Sequence, residues 1–124
     1  MKKPKKNFEI YFEIGGYMAE CYKIFNIDNK LIIDKTFSYG RLIESRIEDC
    51  DNKQWNDFWI KIDELNVWKW EKEYWDEVMD GTQWELMIDK IGRKRRRIHG
   101  SNKFPKNFEA LTKLIGKISN TKDL

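Results

Sequence analysis

Apolar and polar residues alternate along much of the first half of the chain, which is the pattern of β-strands with one buried face. Four segments show it, the last of them more weakly: residues 8–14, 19–27, 31–39 and 41–48. Gly15-Gly16 interrupts the pattern after the first segment, because glycine adopts the dihedral angles of a tight reversal. Asp28-Asn29 is typical of a two-residue hairpin turn, since both residues tolerate a positive φ. The pattern predicts antiparallel strands joined by short turns.

Two later segments repeat apolar residues every three or four positions, which is the spacing of an amphipathic helix. The first stripe consists of Trp55, Phe58, Trp59, Ile62 and Leu65, and the second of Phe108, Leu111, Leu114, Ile115 and Ile118. Asp51 and Gln54 predict a capping box at the start of the first helix. Pro105 suits the first turn of the second helix.

The region between the helices holds one clear hairpin. Residues 84–89 alternate as a strand, and residues 93–99 are its predicted partner beyond the turn at Gly92. Residues 67–80 show no single period. The order β-β-β-(β)-α-β-β-α predicts an α+β fold, in which two amphipathic helices pack on one face of an antiparallel sheet of about five strands.

A length of 124 residues fits one domain. We expect that domain to span residues 8–120, after a basic, flexible tail at 1–7 and before a frayed end at 121–124. No stretch approaches the ~20 apolar residues of a membrane span. Only two cysteines occur, Cys21 and Cys50, and their spacing indicates no disulfide framework. We therefore expect a soluble cytoplasmic protein without membrane contact.

The net charge of +3 hides a segregation of charge along the chain. Residues 90–106 carry only basic charges, including the four residues that we call the basic segment: Arg93, Lys94, Arg95 and Arg97. In a strand, the three arginines share one face, and Lys94 lies at the margin of the other. Such a row can bind phosphate or carboxylate groups bidentately. The alternative is a charged sheet edge that blocks unwanted strand pairing.

All six tryptophans lie between Trp55 and Trp84. The first helical stripe and the strand at 84–89 place three of them in the core. The other three, Trp68, Trp70 and Trp75, lie in the unassigned segment. Exposed aromatic residues beside arginines are typical of protein-binding patches, and they also stack on nucleic-acid bases. We therefore add these three tryptophans to the basic segment as candidate binding residues.

The sequence shows no catalytic, metal or cofactor motif. His99 is the single histidine, so a nucleophilic triad would depend on it. There is neither a histidine pair nor a cysteine pair at metal-binding spacing, and no phosphate-binding glycine loop. We expect no cofactor and no metal. Carboxylates are plentiful, so an enzyme that uses paired acids is left as an alternative.

Five short segments, in this order, resemble an uncharacterised family of small bacterial proteins. They are Gly15-Gly16-Tyr17, Trp55-x-x-Phe58, Val67-Trp68-x-Trp70, Asp80-Gly81-Thr82-x-Trp84 and Gly100-x-Asn102-x-x-Pro105. The likeness extends over residues 8–118 and implies a single domain. More distantly, the architecture and the glycine pair are similar to emfourins, which are small inhibitors of thermolysin-type metalloproteases. Emfourins tend to follow the glycine pair with Phe-Ala-Gly, whereas Tyr17-Met18-Ala19 stands here, so no inhibitory residue is carried over.

These observations predict a non-enzymatic binding or inhibitory domain that acts on a protein partner. The partner is expected to be acidic if the basic segment makes the contact. A nucleic-acid or nucleotide-binding module is the first alternative, and an unrecognised enzyme is the second.

Overall fold

A seven-stranded sheet, two α-helices and a short 3-10 helix form the part of the chain that the structure describes. The structure is a computed structural model, and it describes residues 8–76 and 81–124. The strands are β1 (Ile10–Gly15), β2 (Glu20–Ile27), β3 (Lys30–Phe37), β4 (Arg41–Asp49), β5 (Glu73–Trp75), β6 (Gln83–Ile88) and β7 (Arg96–Ser101). The helices are α1 (Asn52–Glu64) and α2 (Phe108–Ile118), and the 3-10 helix covers Val67–Lys69. The predicted tail at 1–7 and Asp80, the first residue of the segment Asp80-Gly81-Thr82-x-Trp84, lie outside the described residues.

The strands follow the order β4-β3-β2-β1-β6-β7-β5 across the sheet. Every neighbouring pair is antiparallel except β5 and β7, which are parallel. The predicted α+β class is confirmed, but the sheet is larger than the five antiparallel strands expected, and it is mixed. The sequence does not predict β5, because its three residues are too few to show a period.

One face of the sheet carries a row of buried side chains that crosses five strands. In order across the sheet, cross-strand neighbours in this row are Ile33, Ile24, Phe12, Leu86 and Ile98. We call these residues the inner row. Each is at most 3% exposed, and all belong to the hydrophobic core cluster of the described residues.

Both helices bury their apolar stripes in that same cluster. The buried residues are Trp55, Phe58, Trp59 and Ile62 of α1, and Phe108, Leu111 and Ile115 of α2. The helices therefore cover the face of the inner row, and the opposite face of the sheet stays open. The predicted capping box is present, since Gln54 N donates to Asp51 Oδ1 at 2.7 Å and Asp51 N to Gln54 Oε1 at 3.0 Å. Neither helix of the described chain has the length and apolar character needed to cross a membrane.

The residues after α2 are attached to the sheet. The Arg46 guanidinium of β4 donates to Ser119 O at 2.9 Å and to Asn120 O at 2.8 Å. It also donates to Thr121 Oγ1 at 2.8 Å. Thr121 is buried, and Leu124 packs against the core cluster. Residues 121–124, for which the sequence predicts fraying, therefore contact both the sheet and the core.

A buried asparagine joins β1 to β2. The Oδ1 atom of Asn26 accepts hydrogen bonds from Glu9 N at 2.8 Å and from Ile10 N at 3.0 Å. Its Nδ2 atom donates to Asp28 O at 3.1 Å. The amide is therefore satisfied although Asn26 is almost fully buried.

Candidate protein-binding surface

The basic segment does not form a row on one strand. β7 begins only at Arg96, so Arg93, Lys94 and Arg95 lie in the turn between β6 and β7. Gly92 lies in the middle of this turn with a φ of 87°, a value that favours glycine. The predicted strand at 93–99 is therefore a strand only from Arg96 onward. Of the three candidate arginines, only Arg97 lies on β7.

Each candidate arginine faces a carboxylate. The ion pairs are Arg93–Asp63 at 3.5 Å, Arg95–Asp89 at 2.9 Å and Arg97–Glu85 at 2.8 Å. The arginine side chains are about half exposed or more, so solvent screening leaves these pairs little stabilising effect. An anionic group on a partner would have to compete with these carboxylates for the guanidinium groups.

The candidate tryptophans divide between the core and the surface. Trp68 and Trp70 are buried, whereas Trp75 is 72% exposed at the end of β5. The Trp68 Nε1 donates to Asp63 Oδ1 at 2.8 Å, and the Arg93 guanidinium lies 5.3 Å from the centre of the Trp68 ring. Trp68 and Arg93 thus meet, but Trp75 lies at the opposite end of the sheet. The predicted binding residues therefore do not form one site.

Four loops meet at the end of the sheet where Trp75 lies. They are residues 16–19 between β1 and β2, 38–40 between β3 and β4, 81–82 before β6, and 102–105 after β7. We call these loops, together with Trp75, the loop end.

Hydrogen bonds connect neighbouring loops of the loop end. Met18 N donates to Ser38 Oγ at 3.0 Å, and Ser38 N donates to Ala19 O at 2.8 Å. Thr82 N donates to Asn102 Oδ1 at 2.8 Å, and Asn102 N donates to Thr82 O at 2.9 Å. These bonds hold the loops in pairs, the first pair beside β2 and β3 and the second beside β6 and β7.

Two glycines allow close packing at the loop end, Gly16 between the two pairs of loops and Gly81 within the second pair. A Cβ atom on Gly16 would lie 2.9 Å from the carbonyl oxygen of Gly81, which no real side chain allows without a shift of the backbone. A Cβ atom on Gly81 would overlap the side chain of Asn102. Glycine is therefore required at both positions for close packing between loops. The loop end is a packed unit in which each loop supports the next.

Four residues of the loop end have a left-handed backbone although they are not glycine. The φ angle is 58° at Met18, 51° at Ser38, 63° at Tyr39 and 54° at Asn102. Each such residue costs on the order of 1–3 kcal/mol, and it persists only where the surrounding structure fixes it. Strain of this kind is concentrated at binding and catalytic sites.

The same loops expose large apolar side chains. Tyr17 is 76% exposed and Met18 is 63% exposed at the tip of the β1–β2 hairpin. Tyr39, Phe104 and Trp75 add further exposed aromatic surface. Tyrosine and tryptophan are the residues that most often dominate the binding energy of protein interfaces.

A groove of about 780 Å³ lies beside the loop end. Its lining includes Gly16, Tyr17, Phe104, Phe108 and Leu124. Apolar groups form most of this lining, so the groove is suited to an apolar side chain from a partner.

A second hollow, of about 480 Å³, lies on the open face of the sheet next to Tyr39. It is lined by Glu13, Tyr39, Gln83, Trp84, Glu85, Arg97 and His99. Partial burial raises the pKa of Tyr39 to about 12, and the neighbouring Cys21 and Glu13 act in the same direction. The Tyr39 phenol therefore stays protonated, and able to donate a hydrogen bond, into the alkaline range in which an ordinary tyrosine ionises.

The nucleophilic and titratable residues singled out from the sequence do not converge. His99 Nε2 lies 3.3 Å from Glu73 Oε1 on the open face of the sheet. Cys21 and Cys50 are free and buried, and burial raises the pKa of the Cys50 thiol, which makes it a poor nucleophile at neutral pH. Within residues 8–76 and 81–124, no group of three or more His, Cys, Asp or Glu residues is arranged to hold a metal ion. What the loop end offers is non-covalent contact through aromatic and apolar groups.

Sequence reasoning identified Trp75 but missed the rest of the loop end. A signal was present, because three of the five segments that carry the family resemblance meet here through Gly16, Gly81 and Asn102. Their meeting depends on the strand order, which places β1 beside β6 and β6 beside β7. Contacts between residues far apart in the sequence determine that order. The local pattern of each segment therefore could not show that the three segments meet.

Comparison with known proteins assigns no family to the chain. No protein-family model matches it, and no curated protein is significantly similar to it. The resemblance to small bacterial proteins and to emfourins therefore stays a prediction, and the function is argued from the surface itself.

Proposed function

We propose that the protein is a non-enzymatic binding domain that attaches to a partner protein through the loop end. The observation that carries this proposal is the coincidence of exposed aromatic side chains with a strained, closely packed group of loops. Neither feature is needed to bury the core, because the inner row and the helices already do so.

Rigid loops favour binding because little conformational entropy is lost when the partner docks. The contacts of Gly16 with Gly81, and of Thr82 with Asn102, fix the backbone before any partner arrives. Tyr17 and Trp75 then present large side chains with few rotatable bonds, which is the chemistry of residues that dominate interfaces. The adjacent groove can receive an apolar side chain of the partner.

The basic segment has a secondary role in this proposal. Its arginines lie at or toward the other end of β7, and each already faces a carboxylate. They would add attraction for an acidic partner over a distance, which changes the association rate more than the affinity. A nucleic-acid partner would instead depend mainly on these arginines, so its binding would weaken steeply with salt.

The test compares three variants in capture of partners from cells of the native host, identified by mass spectrometry. The loop-end variant carries Tyr17→Ser and Trp75→Ser, and the matched control carries Ile27→Ser and Ile91→Ser. Ile27 and Ile91 are also exposed but lie at the opposite end of the sheet. The third variant changes the three arginines to Gln. Circular dichroism checks that each variant is folded.

We expect a partner that both the wild-type protein and the control variant recover, and that the loop-end variant loses. The affinity for the purified partner should fall about thirtyfold or more in the loop-end variant, since each lost anchor costs 1–2 kcal/mol or more. Equal binding by a folded loop-end variant would contradict the proposal. Loss of binding only in the arginine variant would assign the contact to the basic segment instead.

A thermolysin-type metalloprotease is one defined partner to assay directly. The glycine hairpin that carries the resemblance to emfourins forms the most exposed part of the loop end. If the domain is inhibitory, the wild-type protein and the control variant should inhibit such a protease, and the loop-end variant should not. Absence of inhibition by the wild-type protein would remove this enzyme class as the partner.

A further inference from the structure

β4 is an edge strand with a long exposed surface. It lies last in the sheet, and among the described strands it pairs only with β3. Most of its residues are exposed. The outer backbone groups of such a strand form a template on which another strand can pair.

The hydrogen bonds to β3 determine which backbone groups of β4 face outward. Cys50 N donates to Asn29 O at 2.9 Å, and this contact continues the register of the β3–β4 pair. Backbone groups along an antiparallel strand point alternately toward and away from the neighbouring strand. Counting back from Cys50, the groups of Ser45, Ile47 and Asp49 therefore face the free edge.

The pairing of β4 with β3 shifts register once, and only the part of β4 after this shift has a regular free edge. The pairing with β3 is irregular between Lys35 and Thr36, opposite Ile43. A bulge of this kind bends a strand and disturbs its alternation. The regular free edge is therefore Ser45–Asp49, which we call the β4 edge.

The β4 edge is complementary to itself in one antiparallel register. With Ile47 opposite Ile47 of a second copy, Ser45 lies opposite Asp49 and Arg46 lies opposite Glu48. The outward groups of Ser45, Ile47 and Asp49 then meet outward groups of the second copy, as a hydrogen-bonded ladder requires. An apolar pair lies at the centre. Within one copy the Ser45 hydroxyl donates to Asp34 and the Arg46 guanidinium pairs with Glu48, so in the dimer Asp49 and Glu48 of the second copy would share these two groups with those partners.

An apolar row on the open face of the sheet ends at the same residue. Cross-strand neighbours in it are Ile47, Ile32, Phe25, Tyr11 and Met87. We call these residues the outer row. Ile47 is 62% exposed at its end, and Phe8 packs on Tyr11 and Phe25 farther in. Pairing of two copies at Ile47 would join their outer rows into one continuous apolar stripe.

We propose that two copies of this chain pair through their β4 edges, antiparallel and with the twofold axis at Ile47. The symmetric, self-complementary contact is of the type that closes a dimer. A register centred on Ser45 would place Ile47 against Ile43, where the shift in pairing with β3 interrupts the ladder. The register centred on Ile47 avoids that interruption.

The first test measures the mass of the full-length protein in solution over a range of concentrations by sedimentation. The wild-type protein should convert from monomer to dimer as concentration rises. Ile47→Lys places two ammonium groups against each other at the axis, so it should weaken the dimer about tenfold or more. Leu42→Lys is the matched control, because Leu42 is similarly exposed on the same strand but lies beyond the irregular pairing. It should leave the dimer unchanged.

The second test uses cysteine cross-linking to report the register. In the proposed dimer the two copies of residue 47 are about 5.5 Å apart at Cα, within the range of a disulfide. The two copies of residue 45 are about 14 Å apart, beyond that range. Under mild oxidation, Ile47→Cys should give a covalent dimer and Ser45→Cys should not. A wild-type protein that is monomeric at all concentrations, or cross-linking through Ser45→Cys alone, would overturn the proposal.

Discussion

At the residue scale, Trp59 is a centre of packing between α1 and the 3-10 helix. It is 3% exposed, its ring stacks on Trp68 at 6.1 Å, and it meets Phe58 edge-on at 5.3 Å. The helical spacing of the sequence predicts this burial, because Trp59 shares a stripe with Trp55 and Ile62. The burial of Trp59 can be predicted because the apolar face of a helix is visible in the spacing of its own residues.

Replacement of Trp59 by alanine should reduce the free energy of unfolding by about 3–5 kcal/mol, because a large cavity is left in a packed core. No described group accepts a hydrogen bond from the Trp59 Nε1. Trp59→Phe removes that unsatisfied donor and keeps most of the ring, so it should cost clearly less. Chemical denaturation measures both. A loss below about 1 kcal/mol for Trp59→Ala would mean that the core does not depend on this side chain.

Tyr39 gives a prediction for alkaline pH. Its pKa is raised from 10.0 to about 12 in the folded protein, mainly by burial. A raised folded-state pKa stabilises the fold fully below pH 10 and loses that stabilisation as pH rises toward 12. The free energy of unfolding should therefore fall above pH 10, and less steeply in Tyr39→Phe than in the wild-type protein. Denaturation at several pH values tests this, with Tyr17→Phe at an exposed position as the control.

At the element scale, the link between β4 and the end of α2 depends on Arg46. Its guanidinium donates to the carbonyl oxygens of Ser119 and Asn120, which are among the groups left without partners where a helix ends. The positive charge also suits the negative end of the helix dipole. Nothing in the local pattern of β4 predicts this contact, because its donor and acceptors are more than 70 positions apart.

Arg46→Met should keep the aliphatic packing but remove these hydrogen bonds, and it should reduce the free energy of unfolding by about 2–3 kcal/mol. Arg41→Met, at an exposed position of the same strand, should change it by less than about 0.5 kcal/mol. Hydrogen exchange of the residues after α2 should also become faster in Arg46→Met only. Equal effects of the two substitutions would show that Arg46 acts merely as a surface charge.

Elements with a clear period were predicted well, and the exceptions have physical causes. The first four strands and both helices match the alternation and stripes in the sequence. β5 is too short to show a period, and its place depends on parallel pairing with β7. The turn around Gly92 includes three residues of the predicted partner strand, because β6 ends at Ile88 and Ile88 pairs with Arg96. That register cannot be read from the run of charged residues at 93–97.

At the scale of the whole molecule, the candidate site depends on which segments the fold brings together. The basic segment is easily recognised in the sequence because its charges are nearly consecutive. The carboxylates that pair with it are not, because they come from α1, β6 and the β6–β7 turn. The loop end is the opposite case, since its glycines and aromatics are scattered along the chain. Trp75 was named from the sequence, but its neighbours in space depend on the strand order.

The simultaneous change of Arg93, Arg95 and Arg97 to Gln should alter the free energy of unfolding by no more than about 1 kcal/mol, because exposed ion pairs contribute little. Arg96→Gln is the informative control, since the Arg96 guanidinium turns to the covered side and donates to Trp70 O. That single change should cost more than the triple change. Chemical denaturation measures both losses of unfolding free energy. A larger loss in the triple variant than in Arg96→Gln would mean that the three surface ion pairs act as a stabilising network.

The inner row also bears on the register in which β1 pairs with β2. A slip of β1 by one residue against β2 would bring Glu13 to the buried face, which hydrophobic burial opposes strongly. A slip by two residues would keep every side chain of β1 on its own face, so hydrophobic burial opposes it only weakly. Asn26 removes this ambiguity, because its amide oxygen matches the amides of Glu9 and Ile10 in one alignment only. Asn26→Leu should leave those two donors without their partner, and each would cost about 1–3 kcal/mol. We expect the variant to populate a slipped pairing of β1, visible as doubled amide resonances in NMR spectra, and a single set of resonances would show that other contacts hold the alignment.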